Sequence, residues 1–174
     1  MHSPGYRTFR TDFLGLLALE SREPARHTAP MSLFEAMRQR RLRVLFVCYA
    51  NACRSRMAEA FANAYAPDLV EAASAGLNPA KHVSRRTVAV MREKNVVVDE
   101  HPPRALSDLN LDSFDLIVNL SGRALPRTST RVIAVPLPDP ARGDVNLHRQ
   151  VRDAVERLVR ALLVKLLSAR DAAA

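Results

Sequence analysis

The sequence is short of aromatic residues, short of cysteine and free of long apolar runs. It has no tryptophan, three tyrosines and six phenylalanines in 174 residues. Its arginines, among them Arg7, Arg38, Arg85, Arg123 and Arg157, are spread along the chain rather than packed into one tract. A net charge of +8 therefore comes without the basic, aromatic-lined stripe of a nucleic-acid surface. With arginine far outnumbering lysine, compositional bias accounts for the charge, and we expect no specific nucleic-acid partner. Two cysteines are too few for a disulfide framework and suit a reducing compartment, so the expected location is the cytoplasm. The longest early apolar run, Phe13–Leu19, is too short for a membrane span. It has Asp12 beside it and no small-residue cleavage pattern after it, so neither a membrane anchor nor a signal peptide is expected.

What is present is an alternation of apolar runs and helical patterns in a chain that is 48% hydrophobic, enough for one domain with its own core. Residues 1–40 read as an N-terminal extension, partly disordered and broken by Pro4, Pro24 and Pro30, with a short helix around Leu33 to Gln39. Residues 41–170 read as the domain and 171–174 as a frayed tail. Leu42–Val47 suits a strand buried on both faces, Ser55–Tyr65 a helix, and about Val70–Ser74 a second strand. A second helix starts near Ser84 as cap, carrying Val88 and Met91. Val96–Val98 is a short extended piece, and His101-Pro102-Pro103 is a break. Asp115–Leu120 and Arg131–Val135 are the third and fourth strands. Leu147, Val151, Ala154, Val155, Leu158, Leu162 and Leu166 trace a long amphipathic helix. This order predicts an α/β fold, a parallel sheet wrapped on both sides, with its functional loop at the carboxyl end of a central strand.

That loop is Cys48-Tyr49-Ala50-Asn51-Ala52-Cys53-Arg54-Ser55, between the first strand and the first helix. Backbone N–H groups of such a loop and of the first helical turn lack internal partners and converge on an anion. A helix N-terminus and a nearby cation favour the thiolate form of a cysteine, which is the attacking form. Arg54 can return over the loop and grip two oxygens of a tetrahedral anion with its planar fork. Ser55 can donate a hydrogen bond to the sulfur, and Asn51 is a residue type that tolerates positive φ.

These residues, followed by Met57-Ala58-Glu59, resemble the phosphate-binding loop of the low-molecular-weight protein tyrosine phosphatases and of the arsenate reductases that share their fold. The resemblance runs from about Arg43 to the C-terminal helix and takes in Ser74-Ala75-Gly76 and Asp139-Pro140. It implies a three-layer αβα architecture of the phosphotyrosine protein phosphatase I type, with a four-stranded parallel sheet of order 2-1-3-4. It also implies Cys48 as nucleophile, Arg54 as oxyanion ligand and Asp139 as general acid. An acid is needed because the leaving oxygen takes a proton that a thiolate cannot supply, and Pro140 would hold the Asp139 turn stiff.

Two chemistries are compatible with one such pocket. A phosphomonoester phosphatase, of the phosphotyrosine type, would work through a cysteinyl-phosphate. An arsenate reductase would need an external thiol or a glutaredoxin-like donor, because Ser121 stands where the resemblance expects a further cysteine. Ala50 in place of the phosphatases' glycine, Arg56 in place of their proline, and the lack of an aromatic residue in Asp139-Pro-Ala-Arg-Gly-Asp144 lean toward the arsenate branch. Tyr49 is a candidate wall of the substrate slot. Cys53 is a candidate redox partner that could trap a sulfenic acid of Cys48 as a disulfide. Neither chemistry calls for a metal or a cofactor. The remaining reading is a non-catalytic module that binds anions or serves as a basic interaction surface.

Overall fold

The structure, a computed structural model, describes residues 40–172; the extension and its expected helix at Leu33 to Gln39 lie outside the described residues. In chain order the elements are β1 (Leu42–Cys48), α1 (Arg54–Tyr65), β2 (Val70–Gly76), α2 (Arg85–Arg92), 3₁₀ turns at Leu106–Asp108 and Leu111–Ser113, β3 (Leu116–Asn119), β4 (Val132–Ala134) and α3 (Val145–Ala172). The four strands form one sheet in the order β2-β1-β3-β4, and every pairing is parallel. That is the expected α/β architecture.

The central strand β1 has no polar face because both its faces are covered. Val44, Phe46 and Cys48 pack with Met57 and Phe61 of α1, Met91 of α2 and Val155 and Leu158 of α3. Leu45 and Val47 point the other way, into a smaller cluster with Ala75, Leu106, Phe114 and Ile117. The layer on this second side is built from the two 3₁₀ turns. Arg43, the polar exception in β1, sends its guanidinium to the Ser113 carbonyl at 2.8 Å and over the Phe114 ring. Its charge stays at the edge of the small cluster.

Four local expectations are modified by the structure. Ser84 does precede α2 with extended backbone angles, but its side chain makes no capping bond; its N–H is spent on the Ala52 carbonyl at 3.1 Å. Val96 and Val98 are buried while Val97 is 85% exposed, an alternation that pairs with no strand among the described residues and so stays outside the sheet. β4 covers only three residues and is half exposed, as befits an edge strand. α3 continues through Ala172, two residues past the expected domain limit. It buries Val151, Val155, Leu158, Val159 and Leu162, each worth about 1.5 to 3 kcal/mol when fully covered. Among the described residues no helix is long and apolar enough to cross a membrane.

Candidate active site

Cys48 is the last residue of β1, paired in register with Gly76 of β2, and the chain turns there through residues 49–53 into α1. The course of this turn is fixed from outside by its carbonyls. The oxygens of Cys48, Tyr49, Ala50 and Ala52 accept from the N–H groups of Leu77, Asn78, Ala80 and Ser84 at 2.8 to 3.1 Å. The Cys53 oxygen accepts from Met57 N–H at 2.9 Å, and the Asn51 oxygen accepts from Arg56 Nε at 3.2 Å. A trans peptide points its N–H opposite to its C=O, so this outward set of carbonyls turns the following N–H groups inward. Among the described residues, the N–H groups of Tyr49 to Cys53 find no protein acceptor. The result is a cup of free donors, which suits an anion.

Two residues allow so tight a loop. Asn51 sits at φ 49°, in the left-handed region that asparagine tolerates better than most. Gly76 is required by close approach: a Cβ there would lie 2.8 Å from Asn51 N and 2.9 Å from the Tyr49 oxygen.

A polar chain leads to the sulfur. The Ser74 hydroxyl is 2.6 Å from Glu59 Oε2 and donates to it. Asn51 Nδ2 donates to Ser74 Oγ at 2.7 Å and to Ser55 Oγ at 3.0 Å. Ser55 Oγ lies 3.0 Å from Cys48 Sγ. Asn51 takes one lone pair of Ser55 Oγ, and the hydroxyl proton remains available to the sulfur when that is a thiolate. Asn51 Oδ1 meanwhile accepts from Arg104 N–H at 2.9 Å, so every polar atom of this fully buried side chain is used.

Arg54, itself buried, folds back over the cup. Its Nη1 donates to the carbonyls of Leu120 and Leu137 at 3.2 and 2.8 Å, and its Nη2 donates to Asp139 Oδ2 at 2.7 Å. Its Nε is buried and unpartnered. Nε and Nη2 are the two donors of one edge of the guanidinium, of which Nη2 meets a carboxylate oxygen and Nε meets no protein acceptor among the described residues. A second oxygen of a tetrahedral anion would complete it. Asp139 is 43% exposed, and its Oδ1 accepts from Ala141 N–H at 3.1 Å.

The remaining expected residues lie around this centre. Tyr49 accepts a bond from Asn78 Nδ2 at 3.3 Å, and the Arg123 guanidinium stacks 4.9 Å from its ring centroid. Cys53 is buried, and burial pushes its thiol up from the ordinary range; the hydroxyls of Thr87 and Ser84 oppose that shift, and Cys48 adds to it. Ser121 has its hydroxyl 2.7 Å from Asn119 Oδ1. Among the described residues no group of three or more His, Cys, Asp and Glu is placed to hold a metal ion. From the sequence Arg56, Glu59 and Ser74 are named without a role in supporting the loop, and Arg104 is not singled out. The available signal was a charged pair three residues apart, Arg56 and Glu59, on either side of the apolar Met57-Ala58 of α1.

Comparison with known proteins agrees with this geometry. A glutaredoxin arsenate reductase of Synechocystis sp. is 30% identical over 129 residues, which span 71% of this chain and 98% of that protein. A putative arsenate reductase of Halobacterium salinarum is 34% identical over 121 residues, 66% of this chain and 85% of that one. The crystal structure of an arsenate reductase from Archaeoglobus fulgidus superposes with a TM-score of 0.63 at 36% identity, covering 68% of this chain and 97% of its own. The family model described as low molecular weight phosphotyrosine protein phosphatase matches residues 43–172. With a cysteine, an arginine and an aspartate gathered at the carboxyl edge of a 2-1-3-4 sheet, the chain belongs to the low molecular weight phosphotyrosine protein phosphatase family.

Proposed function

We propose that the chain is a cysteine-dependent phosphomonoester phosphatase that works through a cysteinyl-phosphate. The observation that carries this reading is the Arg54–Asp139 contact of 2.7 Å beside an unfilled Nε donor. A phosphate dianion entering the cup would take over the Nε–Nη2 edge and release the Asp139 carboxyl toward the leaving group. Cys48 Sγ attacks phosphorus; the P–O bond to the leaving alcohol breaks, and Asp139 supplies the proton that oxygen needs. Water then attacks the cysteinyl-phosphate with Asp139 taking its proton, and phosphate leaves with the thiolate restored. The loop N–H groups of Tyr49, Ala50, Asn51, Ala52 and Cys53, with Arg54, stabilise the equatorial oxygens through both steps. Ser55 Oγ supports the sulfur each time it carries charge. A reversible disulfide belongs to the same proposal: peroxide oxidises the Cys48 thiolate to a sulfenic acid, and the Cys53 thiol attacks that sulfur and releases water; the reliance on free thiols suits a cytoplasmic setting.

A second reading, arsenate reduction, is favoured by the names of the relatives and by the residues after Pro140. Ala141, Arg142 and Gly143 provide no aromatic wall for a tyrosine. Cys48 would then displace water from arsenate. One external thiol would attack the Cys48 sulfur, carrying the electron pair to arsenic and releasing arsenite, and a second would resolve the mixed disulfide. Both cysteines of the sequence lie in the loop, so this reading requires a low-molecular-weight thiol or a glutaredoxin-like partner.

The deciding experiment sets p-nitrophenyl phosphate hydrolysis beside arsenate reduction with glutathione or mycothiol. Hydrolysis that disappears in Cys48→Ser, and falls steeply in Asp139→Asn, is the expected result. Arsenite production without hydrolysis would overturn it in favour of the second reading. Phosphate binding with neither turnover would indicate a non-catalytic anion module.

A further inference from the structure

We propose that Arg56 is a positioning residue that keeps the Asn51–Ala52 peptide turned so that its N–H faces the anion. Five of the six carbonyls in the loop from Cys48 to Cys53 are tied by backbone N–H groups. Only the Asn51 oxygen depends on a side chain, through Arg56 Nε at 3.2 Å. This is also the carbonyl of the one loop residue at positive φ, where rotation of the following peptide would bring an oxygen, rather than an N–H, to the cup. A donor on that carbonyl holds the plane and polarises the Ala52 N–H on the other side of the same amide.

Arg56 is anchored for such a task. It is 1% exposed, which is rare for arginine unless its donors are spoken for. Nη2 donates to the carbonyls of His101 and Pro102 at 2.9 and 3.1 Å. Nη1 lies 2.9 Å from His101 Nε2 and 3.5 Å from Glu59 Oε2. The guanidinium therefore bolts the loop to the 99–104 segment, whose Arg104 N–H holds Asn51 Oδ1 from the same side. Lysine could make one of these contacts but not the fork. A cleft of about 680 Å³ lined by Arg56, Glu59, Asn63, Val96 and Asp99 opens behind the side chain, giving a small cation a way in once the side chain is shortened.

The inference rests on reading the loop as an anion cup and holds whichever oxyanion is turned over. Inorganic phosphate is the probe, titrated by calorimetry and by competitive inhibition, with thermal melts run alongside. Wild type is expected to bind phosphate; if it does not, the cup reading itself fails. Folded Arg56→Gln should bind phosphate about ten- to a hundredfold more weakly, the worth of a charged hydrogen bond, with kcat reduced as well. Arg56→Lys should recover only part of the affinity, and methylguanidinium should restore binding to Arg56→Ala. A purely structural ion pair would lower the melting temperature and leave phosphate affinity in the folded enzyme intact. Phosphate binding at wild-type strength in folded Arg56→Gln overturns the proposal. If that variant does not fold, wild-type binding in Arg56→Lys does so instead.

Discussion

Among the described residues arginine and glutamate gather beneath the 48–53 loop and again along the seam between α2 and α3, and the two gatherings behave differently. Beneath the loop, Arg56 is buried and Glu59 is 12% exposed, and their contacts include groups that shape the cup: Asn51 O, Ser74 Oγ, the carbonyls of His101 and Pro102. Along the seam, Glu93 faces both Arg149 and Arg152, and Glu156 faces Tyr65, Lys94 and Arg160. There the contacts are redundant, several partners are exposed, and losing one leaves others. Similar side-chain chemistry thus sets loop geometry where a contact stands alone, and becomes dispensable contact by contact where partners are shared.

Substitutions can test that contrast. The largest effect is expected at Gly76, although it is neither charged nor in the cup. Gly76→Ala drives a methyl against backbone at Asn51 and Tyr49. Phosphate affinity should fall by at least about tenfold, and stability by about 1 to 3 kcal/mol as for other overpacked sites. Unchanged calorimetric titration with phosphate would mean the loop is more pliant than its tied carbonyls imply.

Asp139→Asn should split binding from turnover. Removing the carboxylate that occupies Arg54 Nη2 should tighten phosphate binding, while turnover falls by about 10² to 10⁴ for want of the acid. Inhibition constants and kcat measured on the same preparation check both, and weaker phosphate binding would break the argument.

The seam should respond to pH instead. Glu156 pays for burial with a rise, but hydrogen bonds from Tyr65, Lys94 and Arg160 outweigh it and hold the carboxyl at about 2, against 4.5 for the free group. A depressed carboxyl stabilises the fold above the unfolded value and loses that contribution as pH falls from about 4.5 toward 2. Glu156→Gln should therefore melt below wild type at pH 7, with the gap closing across that window. A gap independent of pH would assign the loss to packing. Smallest of all, Arg149→Ala should leave melting temperature and turnover unchanged, because Arg152 still serves Glu93 at 2.7 Å.

The same contrast explains what could be read from the chain alone. The strand-loop-helix that carries Cys48 and Arg54 was legible because apolar runs and helical spacing are local signals, whereas Asp139 was reached only through the family resemblance that Asp139-Pro140 helps to carry. The support of the cup was not legible: Asn51 meets Ser74 from 23 residues away and Arg104 from 53, distances that no periodicity spans. Arg56 was noted only as a departure from proline, since its burial depends on the 99–104 segment folding beneath it. Val96–Val98 alternates like a strand but lacks a ladder to join, a fact fixed by tertiary neighbours alone.

The outward-tied carbonyls carry a consequence for how new chemistry arises on this scaffold. A ring of amide protons with fixed diameter recognises shape and charge, so a central phosphorus and a central arsenic look alike to it. Discrimination then falls to whatever meets the sulfur next, water or a foreign thiol, and an evolutionary change of reaction can proceed at the rim with the ring untouched.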